Sequence, residues 1–135
     1  MGVAGEGRGM GLRLDWITMD CADPRSLGQF WAQALDYKLE EDEEGEEVLL
    51  FPKDGSRRRI LLIKVPEAKS IKNRVHLDLR PDDQEAEVAR LEALGATRVD
   101  IGQGDVTWDV MADPEGNEFC VLRALRSDED VPWGD

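Results

Sequence analysis

The sequence predicts an α+β fold built from two tandem βαβββ units, and two observations carry this prediction. A strand, a helix and three strands follow one another between Leu14 and Val65, and the same order returns between Asn73 and Arg123. The helical stretches repeat apolar residues at three-and-four spacing, whereas the strand stretches alternate with a period of two. We therefore expect an internal repeat of about fifty residues, with both units joined in a curved, cup-like, eight-stranded mixed sheet and both helices on its outer face.

Length and charge bound the class of protein. The 135 residues suit one compact domain, and thirty Asp and Glu against seventeen Lys and Arg give a net charge of −13. Such a charge repels phosphate backbones and anionic headgroups, so we expect neither nucleic acid nor a membrane as a partner. Two cysteines make no disulfide framework, and no apolar leader or membrane-length apolar run occurs, so we expect a cytoplasmic protein with reduced thiols.

The expected domain spans residues 12–125, with its repeats at about 14–65 and 73–123. Residues 1–11 contain five glycines and few anchoring side chains, which predicts a flexible lead. Residues 126–135 are polar and acidic and are predicted to form a tail.

The first repeat begins with a strand over residues 14–21, which alternates between an apolar face and a face that holds Trp16 and Thr18. Asp23-Pro24 offers an N-cap followed by proline at the first helical position, and the apolar spacing after it predicts a helix near residues 24–35. Three strands are predicted to follow, at residues 37–41, 48–51 and 59–65.

Two charged stretches lie at predicted turns of this repeat. Seven of the eight residues from Glu40 to Glu47 are acidic, which is typical of a solvated hairpin tip; a calcium loop needs alternating ligands, which this run lacks. For Arg57 to Arg59 two interpretations stay open. The stretch is either a solvated turn or the source of an arginine that holds an anionic ligand at the mouth of the cup.

The second repeat begins with a strand that carries the only histidine of the chain. Alternation over residues 74–79 predicts a face covered by a helix, made of Val75, Leu77 and Leu79. His76 and Asp78 then share the opposite face, where the ring is either exposed or directed into a cleft.

A second helix is predicted near residues 83–94. Asp82-Asp83 offers its N-cap and Gly95 its end, and its apolar face comprises Val88, Ala89, Leu91 and Leu94. Three strands are predicted after it, at residues 97–101, 106–111 (with Trp108) and 117–122.

Three motifs accompany the repeat: Asp23-Pro24 running into Phe30-Trp31, the stretch Asn-Arg-Val-His-Leu-Asp-Leu at residues 73–79, and Asp-Pro-Glu-Gly-Asn-Glu-Phe-Cys at residues 113–120. With the doubled βαβββ pattern they resemble the vicinal oxygen chelate superfamily, in particular its glyoxalase-like (glyoxalase/bleomycin resistance/dioxygenase) branch. The resemblance implies the fold but no single activity, because the superfamily includes isomerases, dioxygenases, epimerases and antibiotic-binding proteins. Homodimers are common among such proteins, so the resemblance makes a second copy an expected partner.

Metal-dependent members of that family carry four ligands, one on the first and one on the last strand of each half. His76 stands at one of these positions, but Trp16 stands at its equivalent in the first half, and indole cannot bind a divalent cation. Residues 59–63 offer no Glu, Gln or His, and Cys120 replaces the family's Glu, with Glu118 two residues earlier. We therefore expect no metal and no other cofactor; a divalent metal, if bound, would be held by His76 and Cys120.

By counting along their strands, Trp16, His76 and Cys120 lie on faces turned away from the helices, whereas Trp108 belongs either to the core or to the pocket wall. His76 either acts on a bound molecule as acid or base, or is hydrogen-bonded to Asp78 or Glu118. Either of these two carboxylates would also make a third metal ligand beside His76 and Cys120. Cys120 is more typical of a buried apolar residue than of a nucleophile. Trp16 either stacks on a planar or apolar ligand or fills the space of a metal. The predicted ligand-binding set is Trp16, Thr18, Asp78, Trp108 and Cys120, and the predicted catalytic pair is His76 and Glu118.

These residues favour a glyoxalase-like protein whose metal-free pocket binds a small apolar or aromatic molecule between Trp16, His76 and Cys120. The alternative is a lyase- or isomerase-type enzyme that acts on a small carbonyl compound, with His76 as acid or base or with a divalent metal. A third interpretation is an interaction module whose cup is filled by its own side chains.

Overall fold

The computed structural model describes residues 11–128, which divide into two compact units between Val65 and Pro66. In each unit the order is strand, helix and three strands, and each unit has its own four-stranded mixed sheet. The α+β class and the tandem βαβββ pattern are thus confirmed, while the continuation of the two sheets into one cup stays a prediction. Residues 1–10 of the predicted flexible lead (1–11) and residues 129–135 of the predicted acidic tail (126–135) lie outside the described residues.

The first unit consists of β1 (Trp16–Cys21), α1 (Pro24–Leu35), β2 (Tyr37–Glu41), β3 (Glu47–Pro52) and β4 (Arg59–Lys64). Its sheet has the order β1-β4-β3-β2, in which β1 and β4 are parallel and the other neighbours are antiparallel. A parallel pair needs a long connection, which α1 and the β2–β3 hairpin supply.

Helix α1 forms as the sequence predicts. The Asp23 carboxylate accepts a hydrogen bond from the Ser26 amide at 3.2 Å, and Pro24 occupies the first helical position. Its buried side chains include Leu27, Phe30 and Trp31, and the helix contacts β2, β3 and β4. Burial of each such side chain stabilises the unit by about 1.5–3 kcal/mol.

The two faces of the first sheet differ as the alternation predicts. Val48 and Leu39 lie against α1, where they approach Gly28, and the residues that share their face are largely buried. The opposite face carries one residue from each strand in a single row. Trp16 pairs with Arg59, Lys38 pairs with Phe51, and the β3–β4 register continued by one residue sets Phe51 beside Arg59. We call Trp16, Arg59, Phe51 and Lys38 the cross-strand row.

The second unit consists of β5 (Asp78–Leu79), α2 (Gln84–Leu94), β6 (Thr97–Arg98), β7 (Asp109–Ala112) and β8 (Glu118–Val121). Its sheet has the order β5-β8-β7-β6, again with the first and last strands parallel. Asp83 caps α2 through a hydrogen bond from the Ala86 amide at 3.1 Å, and Gly95 ends it at φ +120°. No helix among residues 11–128 is long and apolar enough to cross a bilayer.

The prediction of a strand over residues 74–79 is wrong for its first four residues. Only Asp78 and Leu79 form β5, and Val75, predicted to lie under a helix, is 79% exposed. Hydrogen bonding explains the shorter strand. Within its sheet β5 is an edge strand that pairs only with β8, and the Asn73 amide donates to the Glu118 side chain instead of to a strand.

One face assignment and two strand boundaries also differ from the predictions. Ala89, assigned to the apolar face of α2, is exposed. Strand β6 ends at Arg98, because the Asp100 and Gln103 side chains accept hydrogen bonds from nearby amides and so replace a strand ladder with turns. Strand β7 begins at Asp109, which leaves Trp108 just before it.

The turn before β8 is held by one buried carboxylate. Asp113, 4% exposed, accepts hydrogen bonds from the amides of Glu115 and Asn117 at 2.9 and 3.0 Å, and from the Asn117 side chain. Gly116 supplies the positive φ of +86° that the turn requires. The turn therefore fixes where β8 begins, and with it the position of Cys120.

The contact of Gly28 with β3 can be tested by a one-methyl substitution. A Cβ at Gly28 would lie 2.8 Å from Val48 Cγ1 and 3.2 Å from Leu39 Cδ1. Overpacking of this kind costs about 1–3 kcal/mol, which exceeds the gain of about 0.5–1 kcal/mol from replacing glycine in a helix. We expect Gly28→Ala to lower the free energy of unfolding, measured by urea titration, by about 1 kcal/mol.

Gln29→Ala, at the exposed next position of α1, is the matched control and is expected to change stability by less than about 0.5 kcal/mol. An increase in stability for Gly28→Ala would contradict the close packing of α1 on β3.

Candidate functional site

The predicted site residues fall into two groups, one in each unit. In the first unit Trp16 is half-buried on the face that α1 does not cover, as predicted. Its ring meets Phe51 edge-on, with ring centroids 5.6 Å apart and an angle of 70° between planes. The Arg59 guanidinium carbon lies 4.5 Å from the centroid of the Trp16 ring. A cation at that distance is attracted by the ring face, so Arg59 and Phe51 hold Trp16 in place.

The Arg59 guanidinium also connects β4 to the residue before β1. Its Nη2 donates to the backbone carbonyl of Asp15 at 3.1 Å and forms an ion pair with the Asp15 carboxylate, which Arg57 approaches at 3.2 Å. Its Nε is buried and has no hydrogen-bond partner among residues 11–128. Arg59 therefore has one donor left unsatisfied beside the aromatic pair.

An open cleft adjoins the cross-strand row. Its volume is about 1040 Å³, and its lining residues, which all belong to the first unit, include Lys38, Phe51, Arg57 and Arg59. Trp16 contacts two of them, Phe51 and Arg59. A small molecule in this cleft would meet both aromatic surface and cationic groups.

The structure says less about the two other predicted ligand contacts, Thr18 and Trp108. Thr18 is exposed on the same face as Trp16 and pairs with Leu61 of β4. Trp108 is half-buried in the segment before β7. Their assignment to a ligand site stays a prediction.

In the second unit the structure brings together His76, Asp78 and Cys120. One potential ligand atom from each lies within 4.8 Å of the others. His76 Nδ1 is 3.8 Å from Cys120 Sγ and 3.4 Å from Asp78 Oδ1. The parallel pairing of Asp78 with Cys120 produces this arrangement, because paired residues in neighbouring strands point to the same face.

The thiol of this group is not a nucleophile at neutral pH. The pKa of Cys120 is raised to about 11, chiefly by burial. The negative charge of Asp78 and the hydrogen bond that its carboxylate accepts from the thiol act in the same direction. Cys120 is 4% exposed. Both properties oppose reactivity, because the thiolate is the reactive species and needs access to its partner.

Glu118 is held by structural partners. Its carboxylate accepts hydrogen bonds from the Asn73 amide at 2.9 Å and from Lys69 at 3.1 Å, and its side chain is 14% exposed. Burial alone would raise the pKa of Glu118, but these hydrogen bonds together lower it below its ordinary value. A carboxylate with a lowered pKa and occupied oxygens is a weak base, so the predicted catalytic role of Glu118 has no support in this geometry.

Lys38 is missing from the predicted site residues, and Arg59 is indicated only as one member of the stretch Arg57 to Arg59 that could hold an anionic ligand. Arg59 and Lys38 line the cleft, but three consecutive arginines look alike in a sequence, and Lys38 stands in a stretch with no motif. The available signal was alternation, since counting by two from Leu61 and Glu40 puts both residues on the face away from α1.

The sequence matches the profile of the Glyoxalase-like domain over residues 16–122. The chain belongs to the glyoxalase-like domain family. Several solved structures share its fold, whereas comparison with curated proteins gave no match.

Three of these structures show the range within the fold. A glyoxalase/bleomycin resistance protein/dioxygenase family enzyme from Burkholderia phytofirmans is 18% identical, with a TM-score of 0.63 over 82% of this chain and 98% of that one. A variant of the fosfomycin resistance protein FosX from Listeria monocytogenes, in complex with Mn(II) and 1S,2S-dihydroxypropylphosphonic acid, is 14% identical, with a TM-score of 0.61 and coverages of 83% and 90%. TnmS3, an antibiotic binding protein from a Streptomyces species, is 21% identical, with a TM-score of 0.59 and coverages of 84% and 97%.

The Mn(II) of the FosX complex raises the question of whether this glyoxalase-like chain has ligands for such an ion. Mn(II) favours carboxylate, imidazole and water, and a thiol binds a metal only after it loses its proton. The second unit offers one imidazole, one carboxylate and the buried thiol of Cys120, and sulfur is a soft donor that suits zinc better than Mn(II). These donors do not fit a Mn(II) site, and a softer cation such as zinc is the one that a His, Asp and Cys set would suit.

The state of the Cys120 thiol can be tested by alkylation. In a Cys21→Ser background, where Cys120 is the only cysteine, we expect iodoacetamide to react at pH 8 at least about 100-fold more slowly with the native protein than with the urea-unfolded chain. The native rate should rise only as the pH approaches 11. Because the folded pKa lies above the ordinary value of 9.0, the native state should also lose stability as the pH rises from 9 through 11.

Asp78→Asn removes the charge that helps to keep the thiol protonated, so it should shift the rate profile to lower pH. Asp82→Asn, an exposed acidic residue of the same unit, is the control and should leave the profile unchanged. Native alkylation as fast as that of the unfolded chain at pH 8 would contradict a buried, protonated thiol.

Proposed function

We propose that this glyoxalase-like protein binds a small apolar or aromatic molecule without a metal ion, and that Trp16 is its principal contact. One observation carries the proposal: a tryptophan is held, half-buried, on the sheet face that α1 leaves uncovered, beside an open cleft. Indole offers a large rigid surface to a planar ligand, and its position beside a cleft makes that surface available.

The arrangement around Trp16 supports binding over mere space-filling. Phe51 meets the Trp16 ring by its edge and Arg59 lies over it, so the indole orientation is fixed before any ligand arrives. Preorganised aromatic surface loses little conformational entropy on binding, which is how a small contact area yields useful affinity. A ligand in the cleft would add to this aromatic pair as a further ring or apolar group.

The second unit supports a binding role more than a metal-dependent reaction. Its Cys120 is a protonated thiol, and its Glu118 is occupied by Lys69 and Asn73. The antibiotic binding protein TnmS3 is a neighbour in fold, and a similar use of the fold here is part of the proposal.

A second candidate function is an enzyme that acts on a small carbonyl compound. His76 favours it, because its side chain is 37% exposed and its Nδ1 lies 3.4 Å from the Asp78 carboxylate. A carboxylate that orients an imidazole is a frequent arrangement in general acid–base catalysis. His76→Gln would abolish such an activity while leaving the binding of an aromatic molecule at Trp16 intact.

The finer expectations belong to the same proposal. The binding domain would span residues 12–125, act in the cytoplasm on a small-molecule ligand, and form a homodimer as its relatives commonly do.

The role of Trp16 is tested with aromatic fragments screened by thermal shift and measured by calorimetry. Trp16→Ala should weaken a hit by about 1–3 kcal/mol, or roughly 5- to 150-fold in Kd, through lost stacking and apolar contact. Trp16→Phe should retain most of the affinity, and saturating EDTA should change neither Kd nor Tm.

Trp108→Ala, at the other half-buried tryptophan among the described residues, serves as the comparison. Should Trp16→Ala leave every hit unchanged while Trp108→Ala or EDTA abolishes binding, the proposed function is wrong.

A further inference from the structure

The cleft of the first unit concentrates positive charge in a strongly acidic protein. Its lining residues include Lys38, Lys53, Arg57 and Arg59 against one carboxylate, that of Glu40. The whole chain carries a net charge of −13, so a lining with four cations and one carboxylate differs from the composition of the chain as a whole. Clefts lined by one sign of charge attract ligands of the opposite sign.

These four cations are not equally engaged. Lys53 Nζ pairs with Asp36 at 2.7 Å, and Arg57 and Arg59 share the carboxylate of Asp15. The remaining one, Lys38, has neither an ion pair nor a hydrogen bond from its ammonium to any residue within the described range 11–128. One acidic residue thus serves two arginines, and one lysine at the cleft is left for another partner.

Arg59 has unused hydrogen-bonding capacity as well. Its Nε is buried without a partner in the described part of the chain, while its Nη2 is bound to Asp15. An unpaired buried donor is unfavourable, and a guanidinium presents its N–H groups in a fork that matches two oxygens of one carboxylate. A small turn of the Arg59 side chain toward an incoming oxyanion would therefore gain a partner for this donor.

The cationic groups are held on an ordered framework. The Tyr37 hydroxyl donates to the Arg58 carbonyl at 2.7 Å, between the two arginines that line the cleft. The turn before them is closed by a hydrogen bond from the Gly55 amide to Pro52 at 3.2 Å and by one from the Ser56 amide to Asp54 at 2.9 Å. The arginines thus project from a fixed segment, which limits the entropy lost when a ligand binds.

Aromatic and cationic side chains alternate across the sheet. The cross-strand row runs from Trp16 through Arg59 and Phe51 to Lys38, one residue from each strand. Neighbouring strands lie about 4.8 Å apart, so an aromatic ring and a cation are next to each other at all three junctions of the row. A molecule lying across the strands would meet apolar surface and positive charge within its own length.

From this row we infer that the ligand is an aromatic or apolar compound with a carboxylate or phosphonate group, bound with its oxyanion between Arg59 and Lys38 and its ring on Phe51 and Trp16. The inference rests on the proposed function, because it specifies the chemistry of the molecule that Trp16 contacts. It adds a requirement that the proposed function does not have, namely a negative charge on the ligand.

Three probes with the same aromatic body test the charge requirement: 3-phenylpropanoate, 3-phenylpropanol and 3-phenylpropylammonium. Calorimetry at low ionic strength should give the acid at least a tenfold lower Kd than the alcohol, and no measurable binding of the amine. Raising the salt concentration should weaken the acid and leave the alcohol unchanged, because only the charged contact is screened. Phenylphosphonate distinguishes a phosphonate from a carboxylate preference.

Two variants locate the charge. Lys38→Gln should weaken the acid about tenfold and leave the alcohol within twofold. Arg59→Gln also removes the cation that lies over Trp16, so it should weaken the acid at least tenfold and the alcohol to a smaller extent. Lys38→Gln breaks no ion pair among the described residues, so it reports on binding even if Arg59→Gln unfolds the unit. The matched controls are Arg98→Gln and Lys64→Gln, exposed residues outside the cleft, and they should leave both affinities unchanged.

Equal affinity for acid and alcohol, or acid binding that is indifferent to Lys38→Gln and Arg59→Gln, would overturn the inference. In that case binding of the alcohol that is lost in Trp16→Ala would still uphold the proposed function. Acid binding that needs Lys38 and Arg59 but not Trp16 would uphold the anion site and reject the aromatic contact. No binding of the acid at millimolar concentration would reject the anion site outright.

Discussion

The parallel pairing of the first strand with the fourth in each unit is the constraint on which both candidate groups depend. It sets Trp16 beside Arg59 in the first unit and Asp78 beside Cys120 in the second, although each pair is separated by more than forty residues of sequence. Parallel strands cannot be joined by a tight turn, so the intervening helix and hairpin are obligatory. The helix then covers one face of its sheet and leaves the other face for side chains that are not needed in the core. Each unit thus builds a candidate site as a direct consequence of its topology.

The same scaffold holds different chemistry in its two copies. In the first unit the paired positions carry an indole and a guanidinium, which suit stacking and oxyanions rather than a metal. In the second they carry a carboxylate and a thiol, with His76 close by, and the environment keeps that thiol protonated. A shared fold therefore says little about activity within this family, and the argument for function comes from the residues at these paired positions.

Alternation predicted the first unit well because both faces of β1 have distinct residue types, and Trp16 lies where counting by two puts it. The same rule failed at Val75, which is exposed. A strand at a sheet edge continues only as far as its one partner supplies hydrogen bonds, and the amide of Asn73, before Val75, is bound by the Glu118 side chain instead. The third member of the His76 group could not be selected from the sequence either. In the sequence Asp78 and Glu118 are equal candidates. In the structure the register of β5 with β8 sets Asp78 beside Cys120, whereas the carboxylate of Glu118 is bound by Lys69.

The central claim is that the indole of Trp16 contacts a small aromatic molecule on the uncovered face of the first sheet. The most direct measurement is the set of tryptophan indole N–H resonances in ¹H–¹⁵N spectra during titration with an aromatic fragment mixture, with Trp16 assigned by its loss in Trp16→Phe. Trp31, 1% exposed on the buried face of α1, provides an internal reference that no ligand can reach without unfolding. The account predicts that the Trp16 resonance shifts saturably while that of Trp31 stays in place. A Trp16 resonance that is unmoved by fragments that bind the protein elsewhere would contradict it.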